Sequence, residues 1–303
     1  MKNMMMKGAI DDHFHFEPDM FPLERMIHGM DLNGVEKTAL VARMCEPFYM
    51  DTAFKNLSSR TLRMSLLYLN PLGKMVYMST IDSGGNFVLN PLTRETYKIY
   101  GKPDNNEVVE VIDKYPDRFY GWIFVNPAGP SDPMEEIEKY VSIPQMIGVK
   151  THPWWQQYPV KKLEGVARWC EENGYPIQVH LGVGEMGDYR YLPEKFPDLK
   201  IIYLHAGVPF FREIWNHFAS KKDSNVFFDL SSPYNDDIII KEAVNTLGAE
   251  RCLYGNDGPY GYQKPGEDYD YGLIKGWIEN LSISTEDKEK ILGKNFEALI
   301  KRS

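Results

Sequence analysis

Short apolar, β-branched runs alternate with amphipathic stretches along most of the chain. Phe119 to Val125 is almost continuously apolar and predicts a strand. Asp132 to Tyr140 then predicts a helix, with Asp132 placed as its cap and Pro133 at its first turn. The alternation continues with strands at 146–151, 176–180, 200–205, 226–231 and 251–255. Helices are predicted between them at 160–173, stopping at Gly174, and at 188–196, 210–220 and 236–247, with helices over 284–301 closing the chain. Gly8–Phe16 and Lys37–Arg43 add two strands at the front, so the count reaches eight, each followed by helix-forming sequence. Repeated βα units demand parallel strands with right-handed crossovers, and eight of them close a barrel. An open doubly wound sheet is the competing architecture, but no glycine-rich dinucleotide fingerprint follows any strand. The expectation is therefore an α/β chain folded as a (β/α)8 TIM barrel, one domain over 1–303.

One segment breaks the rhythm. Residues 44–105 separate the second strand from the helix near 106, where a βα loop usually takes two to six residues. The segment holds a helix-like stretch around Arg60 to Tyr77, then Asp82-Ser-Gly-Gly85 and two Asn-Pro steps. An insertion at this end of a barrel either caps the active site or serves as a surface elaboration or oligomer contact, and the sequence leaves these open.

Composition narrows the function classes. The 303 residues carry a net charge of −9, from 34 basic and 43 acidic side chains, with no long basic run. A nucleic-acid or anionic-membrane partner is not expected; the partner is a small-molecule substrate. Hydrophobic content of 43% is ample for a core. Cys45, Cys170 and Cys252 are far apart and form no CxxC pair, which fits a reducing compartment. No signal-peptide core or membrane span is visible, so the expected location is the cytoplasm.

The placement of histidines carries the chemistry. In a barrel the reaction site lies at the C-terminal strand ends. Of seven histidines, five sit there: His13 and His15 after the first strand, His152 just beyond Lys150 after the fourth, His180 after the fifth and His205 after the sixth. Asp257 ends the eighth, in Tyr-Gly-Asn-Asp-Gly-Pro. His13 and His15, two apart on a strand, point to one spot. A catalytic divalent metal needs three or four N/O ligands and an open position. His13, His15, His180 and Asp257 form such a set without thiolate, which suits Zn2+ and also Mn2+ or another divalent ion.

These motifs resemble the amidohydrolase superfamily: Ile-Asp-x-His-x-His at 10–15, Val-His-Leu-Gly at 179–182, Leu-His-Ala-Gly at 204–207 and Tyr-Gly-Asn-Asp-x-Pro at 254–259. Their order is similar across nearly the whole chain to the amidohydrolase-related branch, which includes aminocarboxymuconate-semialdehyde decarboxylase-like enzymes. The resemblance implies that His13, His15, His180 and Asp257 hold the metal. It also implies that Asp257 acts as the base on bound water and that His205 polarises substrate or shuttles a proton. Lys150 matches either a metal-bridging lysine or, as in mononuclear members, a substrate contact. Asp11 matches the motif as structural support, and a homodimer is implied by resemblance alone.

Further substrate contacts are expected from the loop after the fourth strand, where His152, Trp154 and Trp155 either stack on a ring substrate or pack the loop. Arg43 either clamps a carboxylate or forms a structural ion pair. Pro259 to Tyr271 reads as a lid or an ordinary surface loop, and Ser231, Ser232 and Tyr234 are placed to face the pocket. The leading expectation is a metal-dependent hydrolase of a lactone, ester or amide of a carboxylated compound. The alternative is a metal-dependent, non-oxidative decarboxylase of a small cyclic or unsaturated carboxylic acid.

Overall fold

The structure is a computed structural model that describes residues 5–47, 52–89, 95–221, 224–260 and 269–302. Its strands, in chain order, are β1 (Ala9–His15), β2 (Val35–Val41), β3 (Phe87–Leu89), β4 (Thr96–Lys98), β5 (Phe119–Phe124), β6 (Met146–Thr151), β7 (Ile177–Val179), β8 (Ile201–Tyr203), β9 (Val226–Asp229) and β10 (Cys252–Leu253). Eight of them form one parallel sheet in the order β1-β2-β5-β6-β7-β8-β9-β10. These are the eight strands expected from the sequence. Helices alternate with these strands along the chain, and most strand residues are buried, which explains their apolar runs. All six residues of β6 are buried, for example.

The seam between β10 and β1 closes through the segment after β10. Asp12 N donates to Tyr254 O at 2.9 Å, Asp257 N to His13 O at 2.7 Å and His15 N to Gly258 O at 2.7 Å. Close approach of this segment requires glycine at 255, where a Cβ would lie 2.4 Å from both Asp12 Oδ1 and Asp229 Oδ1.

The helices are α1 (Leu23–Asn33), α2 (Thr52–Tyr68), α3 (Asn70–Met78), α4 (Asn105–Lys114), α5 (Pro133–Tyr140), α6 (Glu164–Asn173), α7 (Tyr191–Lys195), α8 (Arg212–Ala219), α9 (Asp237–Leu247), α10 (Leu273–Glu279), α11 (Thr285–Glu289) and α12 (Asn295–Ile300). Their ends follow local chemistry. Asp132 caps α5 by accepting from Met134 N at 2.8 Å, and α6 ends on Gly174 in the left-handed region at φ 71°.

The long segment after β2 contains α2, α3 and the antiparallel hairpin β3–β4. The single helical stretch expected at 60–77 is instead two helices separated at Leu69. Pro71 lacks an amide proton, and its ring would meet the Leu67 carbonyl in a continuous helix, so the chain breaks there and restarts. The two helices pack tightly because Gly73 has no Cβ; one built there would lie 2.5 Å from Leu66 N.

This arm reaches across the C-terminal end of the barrel. Arg63 Nε lies 3.1 Å from Asp236 Oδ2, and Lys74 Nζ lies 3.5 Å from Glu213 Oε2. Arg212 sits over the Tyr68 ring and Lys74 over the Phe210 ring, at 5.6 and 4.3 Å. The arm thus leaves β2 and lands on the loops that follow β8 and β9. Among the described residues no helix is long and apolar enough to cross a membrane.

Candidate active site

The last residues of β1 start the site. His13 and His15 project from one face, and their Nε2 atoms are 3.3 Å apart. Asp257 Oδ1 lies 3.4 Å from each of these nitrogens. Asp257 holds that place in a left-handed backbone conformation, φ 50°, pinned by its amide on the His13 carbonyl. His205, also left-handed at φ 51°, brings Nε2 to 3.9 Å from Asp257 Oδ2. Non-glycine residues are strained in this region, so two of them at one cluster mark backbone bent for the site. One ligand atom each from His13, His205 and Asp257 lies within 4.8 Å of the others, a candidate metal site.

A ring of buried acids orients this cluster. Asp229 Oδ2 accepts from His13 Nδ1 at 3.2 Å, so the proton sits on Nδ1 and the lone pair on Nε2 faces His15 and Asp257. Asp229 Oδ1 accepts from Ser231 N at 2.8 Å, and Ser231 Oγ bonds His205 Nδ1 at 2.9 Å. Asp11 accepts from Asn256 N, Asn256 Nδ2 and Tyr271 OH at 3.0, 2.8 and 2.9 Å, tying β1 to the segment that carries Asp257. Lys150 Nζ is fully buried 3.1 Å from His13 Nε2.

Burial sets the protonation states. It holds His13 and His15 well below the usual imidazole range, with Lys150 adding to the effect. His180 and His152 are lowered in the same way, His180 with help from His152 and His205, and His152 with help from Lys150. His205 falls to about 4 by burial against the pull of Asp257. Burial brings Lys150 down to about 7, opposed by Asp257, Asp229 and Asp12. It raises Asp11 to about 7 and Asp229 to about 6. Asp12 is pushed well above the carboxylate range by burial and then by Asp229 and Asp11. Neutral imidazoles are the form that ligates a metal.

A divalent cation fits these residues. Two buried, neutral imidazole nitrogens 3.3 Å apart converge on one carboxylate oxygen, an arrangement with electron pairs pointing at a common point. Among the described residues the candidate cluster of His13, His205 and Asp257 holds no cysteine, so its donor set is nitrogen and oxygen.

The histidine after β7, expected as a ligand, is not among the three residues of that candidate cluster and is differently engaged. His180 Nε2 lies 2.9 Å from the phenol oxygen of Tyr77, a residue of α3. Its ring also faces His152 and His205, with centroids 4.0 and 4.6 Å away. Trp154 is buried and stacks on Tyr77 at 3.6 Å, while Trp155 N donates to His152 Nδ1 at 3.0 Å. Tyr234 stands edge-on to His205 at 5.1 Å. The aromatic residues of the loop after β6 therefore form one wall with Tyr77 and Tyr234 above the cluster.

Arg43 points elsewhere. Its Nε donates to Glu107 Oε2 at 2.9 Å and its Nη1 to Asp19 Oδ2 at 3.0 Å, the ion-pair arrangement. Within Pro259 to Tyr271, residues 261–268 lie outside the described residues. Tyr260 approaches His15 edge-on at 5.4 Å and donates to Glu17 Oε1 at 2.8 Å.

Sequence reasoning did not single out Asp229, Tyr77 or Glu17. Asp229 had a signal, a lone acid ending an apolar strand two residues before a serine. Tyr77 had none, because its partner is 103 residues away.

The model of the amidohydrolase family matches residues 98–302. No curated protein matches the chain. Among solved structures, an uncharacterized TIM-barrel protein from Bordetella bronchiseptica is similar at 19% identity, with a TM-score of 0.63 over 97% of this chain and 98% of that one. A 2,6-dihydroxybenzoate decarboxylase from Rhizobium is similar at 15% identity, TM-score 0.59, over 97% and 99%. A 5-carboxyvanillate decarboxylase from Novosphingobium aromaticivorans, solved with bound manganese and 3-methoxy-4-hydroxy-5-nitrobenzoic acid, is similar at 14% identity, TM-score 0.60, over 99% of each chain.

Proposed function

The chain belongs to the amidohydrolase family, and from that premise we propose that it is a metal-dependent, non-oxidative decarboxylase of a small cyclic or unsaturated carboxylic acid. The observation that carries this reading is the enclosure of the cluster: His13, Lys150 and His205 are buried beneath the wall of Trp154, Tyr77 and Tyr234. Loss of CO2 leaves a carbanion that must take up one proton, and an enclosed site shields that carbanion from side reactions. The similar structures named as decarboxylases of ring carboxylates support the same order. Hydrolysis of a lactone, ester or amide is accordingly the second reading.

His13, His15, His180 and Asp257 would hold the cation, manganese or zinc by donor chemistry. When bound, the cation supplies a Lewis acid that stabilises negative charge on substrate oxygens. The cationic form of Lys150, 3.1 Å from His13 Nε2, holds the substrate's negative end; this role passes to it from Arg43, whose Nε and Nη1 are paired with Glu107 and Asp19. The aromatic wall orients the planar part of the substrate. The carbon–carboxyl bond breaks with its electron pair left on carbon. Asp257 Oδ2 delivers a proton to that carbon and is reprotonated from solvent as product leaves, while neutral His205, its Nε2 3.9 Å from this oxygen, orients the carboxyl.

The test is turnover of a panel of hydroxylated aromatic and unsaturated carboxylic acids in deuterated water with added Mn2+ or Zn2+. The proposal expects CO2 release and deuterium at the vacated carbon. Solvent oxygen incorporated into product, with no CO2, would establish hydrolysis instead.

A further inference from the structure

The engagement of His180 by Tyr77 has a consequence for which nitrogen of that ring can bind a metal. The Tyr77 hydroxyl contacts two groups, the Leu181 carbonyl oxygen at 3.1 Å and His180 Nε2 at 2.9 Å. A phenol carries a single proton, and a backbone carbonyl can only accept. Tyr77 therefore donates to Leu181 O, and its oxygen lone pair faces His180 Nε2. That contact is a hydrogen bond only if Nε2 bears the proton. A neutral imidazole protonated on Nε2 has its free lone pair on Nδ1.

We infer that Tyr77 is a positioning residue for the metal site, holding His180 as the Nε2-protonated tautomer so that Nδ1 is its ligand nitrogen. The inference rests on the reading that the strand-end histidines hold a cation. It complements the arrangement at His13, where Asp229 takes the Nδ1 proton and leaves Nε2 free. The two histidines are thus set in opposite tautomers by different partners, one from β9 and one from the arm after β2.

Tyr77 is built to hold this position. Its ring is fully buried, stacked on Trp154 at 3.6 Å and edge-on to Tyr234 at 5.9 Å. Helix α3, which carries it, is locked against α2 at Gly73, and α2 is anchored to the barrel by Arg63 and Asp236. The arm after β2 therefore contributes to the metal site itself, and cation affinity depends on the arm being docked.

Two measurements test this. In isotope-labelled, metal-free wild-type protein, the histidine NMR signals of His180, assigned by their loss in His180→Gln, should show the proton on Nε2. In Tyr77→Phe, Mn2+ or Zn2+ affinity by competition with a chromophoric chelator should fall about 10- to 100-fold, with the circular dichroism spectrum unchanged. A proton on Nδ1 of His180, or a folded Tyr77→Phe protein that binds the cation as tightly as wild type, would overturn the inference. Wild-type protein that binds no cation overturns the metal reading, and the tautomer of His180 then decides the Tyr77 assignment alone.

Discussion

At the residue scale, orientation of a ligand is decided by which neighbours can accept a proton. Asp229 receives the Ser231 amide on one oxygen and His13 Nδ1 on the other, so both of its oxygens face N–H donors. Asp229→Asn places an amide NH2 against a donor whichever way the side chain turns. The expected outcome is cation affinity lowered about 10- to 100-fold by chelator competition, with stability to urea reduced by about 1–3 kcal/mol. Gly255→Ala tests the close approach of the same segment, because its Cβ would lie 2.4 Å from Asp12 Oδ1 and Asp229 Oδ1. It should cost about 1–3 kcal/mol in urea unfolding and weaken cation binding together, since the clash falls on the acids that hold the ligands. At this scale the strand-end histidines and Asp257 were legible in sequence, because the barrel dictates where chemistry-bearing residues fall. The partners that orient them were not, because Asp229 on His13 and Tyr77 on His180 are contacts across more than a hundred residues, 216 and 103.

Among the elements, the arm of α2 and α3 is the least predictable part and the one with most leverage on the site. Its helices meet where Gly73 lies against the Leu66 backbone. Gly73→Val should force them apart. Limited proteolysis within 52–78 should then accelerate, and Tyr77 should lose its hold on His180. Because the contact lies outside the barrel, the urea midpoint of the barrel should move far less than the cleavage rate. The barrel strands were readable from the chain because parallel strands are apolar on both faces. The arm was only partly readable. Its helical content showed, but the break at Leu69 depended on Pro71, and the β3–β4 hairpin has three-residue, half-exposed strands with no apolar pattern to betray them. Arg43 illustrates the same limit: its place at the end of the second strand was visible, and its partners, Glu107 on α4 and Asp19, were not.

For the whole molecule, the proposed function gives the barrel and the cation separable roles. Eight strands, a seam of backbone hydrogen bonds and a continuous apolar core form the fold, and the buried histidines and Asp257 lie together at one end of it. Chelation should therefore abolish turnover and leave the circular dichroism spectrum of the barrel intact. Re-adding cation at a hundredfold excess over Kd should raise stability by about 2.7 kcal/mol, read as a higher melting temperature, because only the folded barrel assembles the ligands. The central claim is that His13, His15, His180 and Asp257 hold a divalent cation at the barrel mouth. Metal analysis of the purified protein beside His13→Ala and Asp257→Ala tests it most directly. The account predicts a stoichiometric divalent metal in the wild type and its loss from both folded variants. Wild-type protein that takes up no divalent metal from Mn2+, Zn2+, Fe2+ or Co2+ solutions, or variants that retain it in full, would contradict the account.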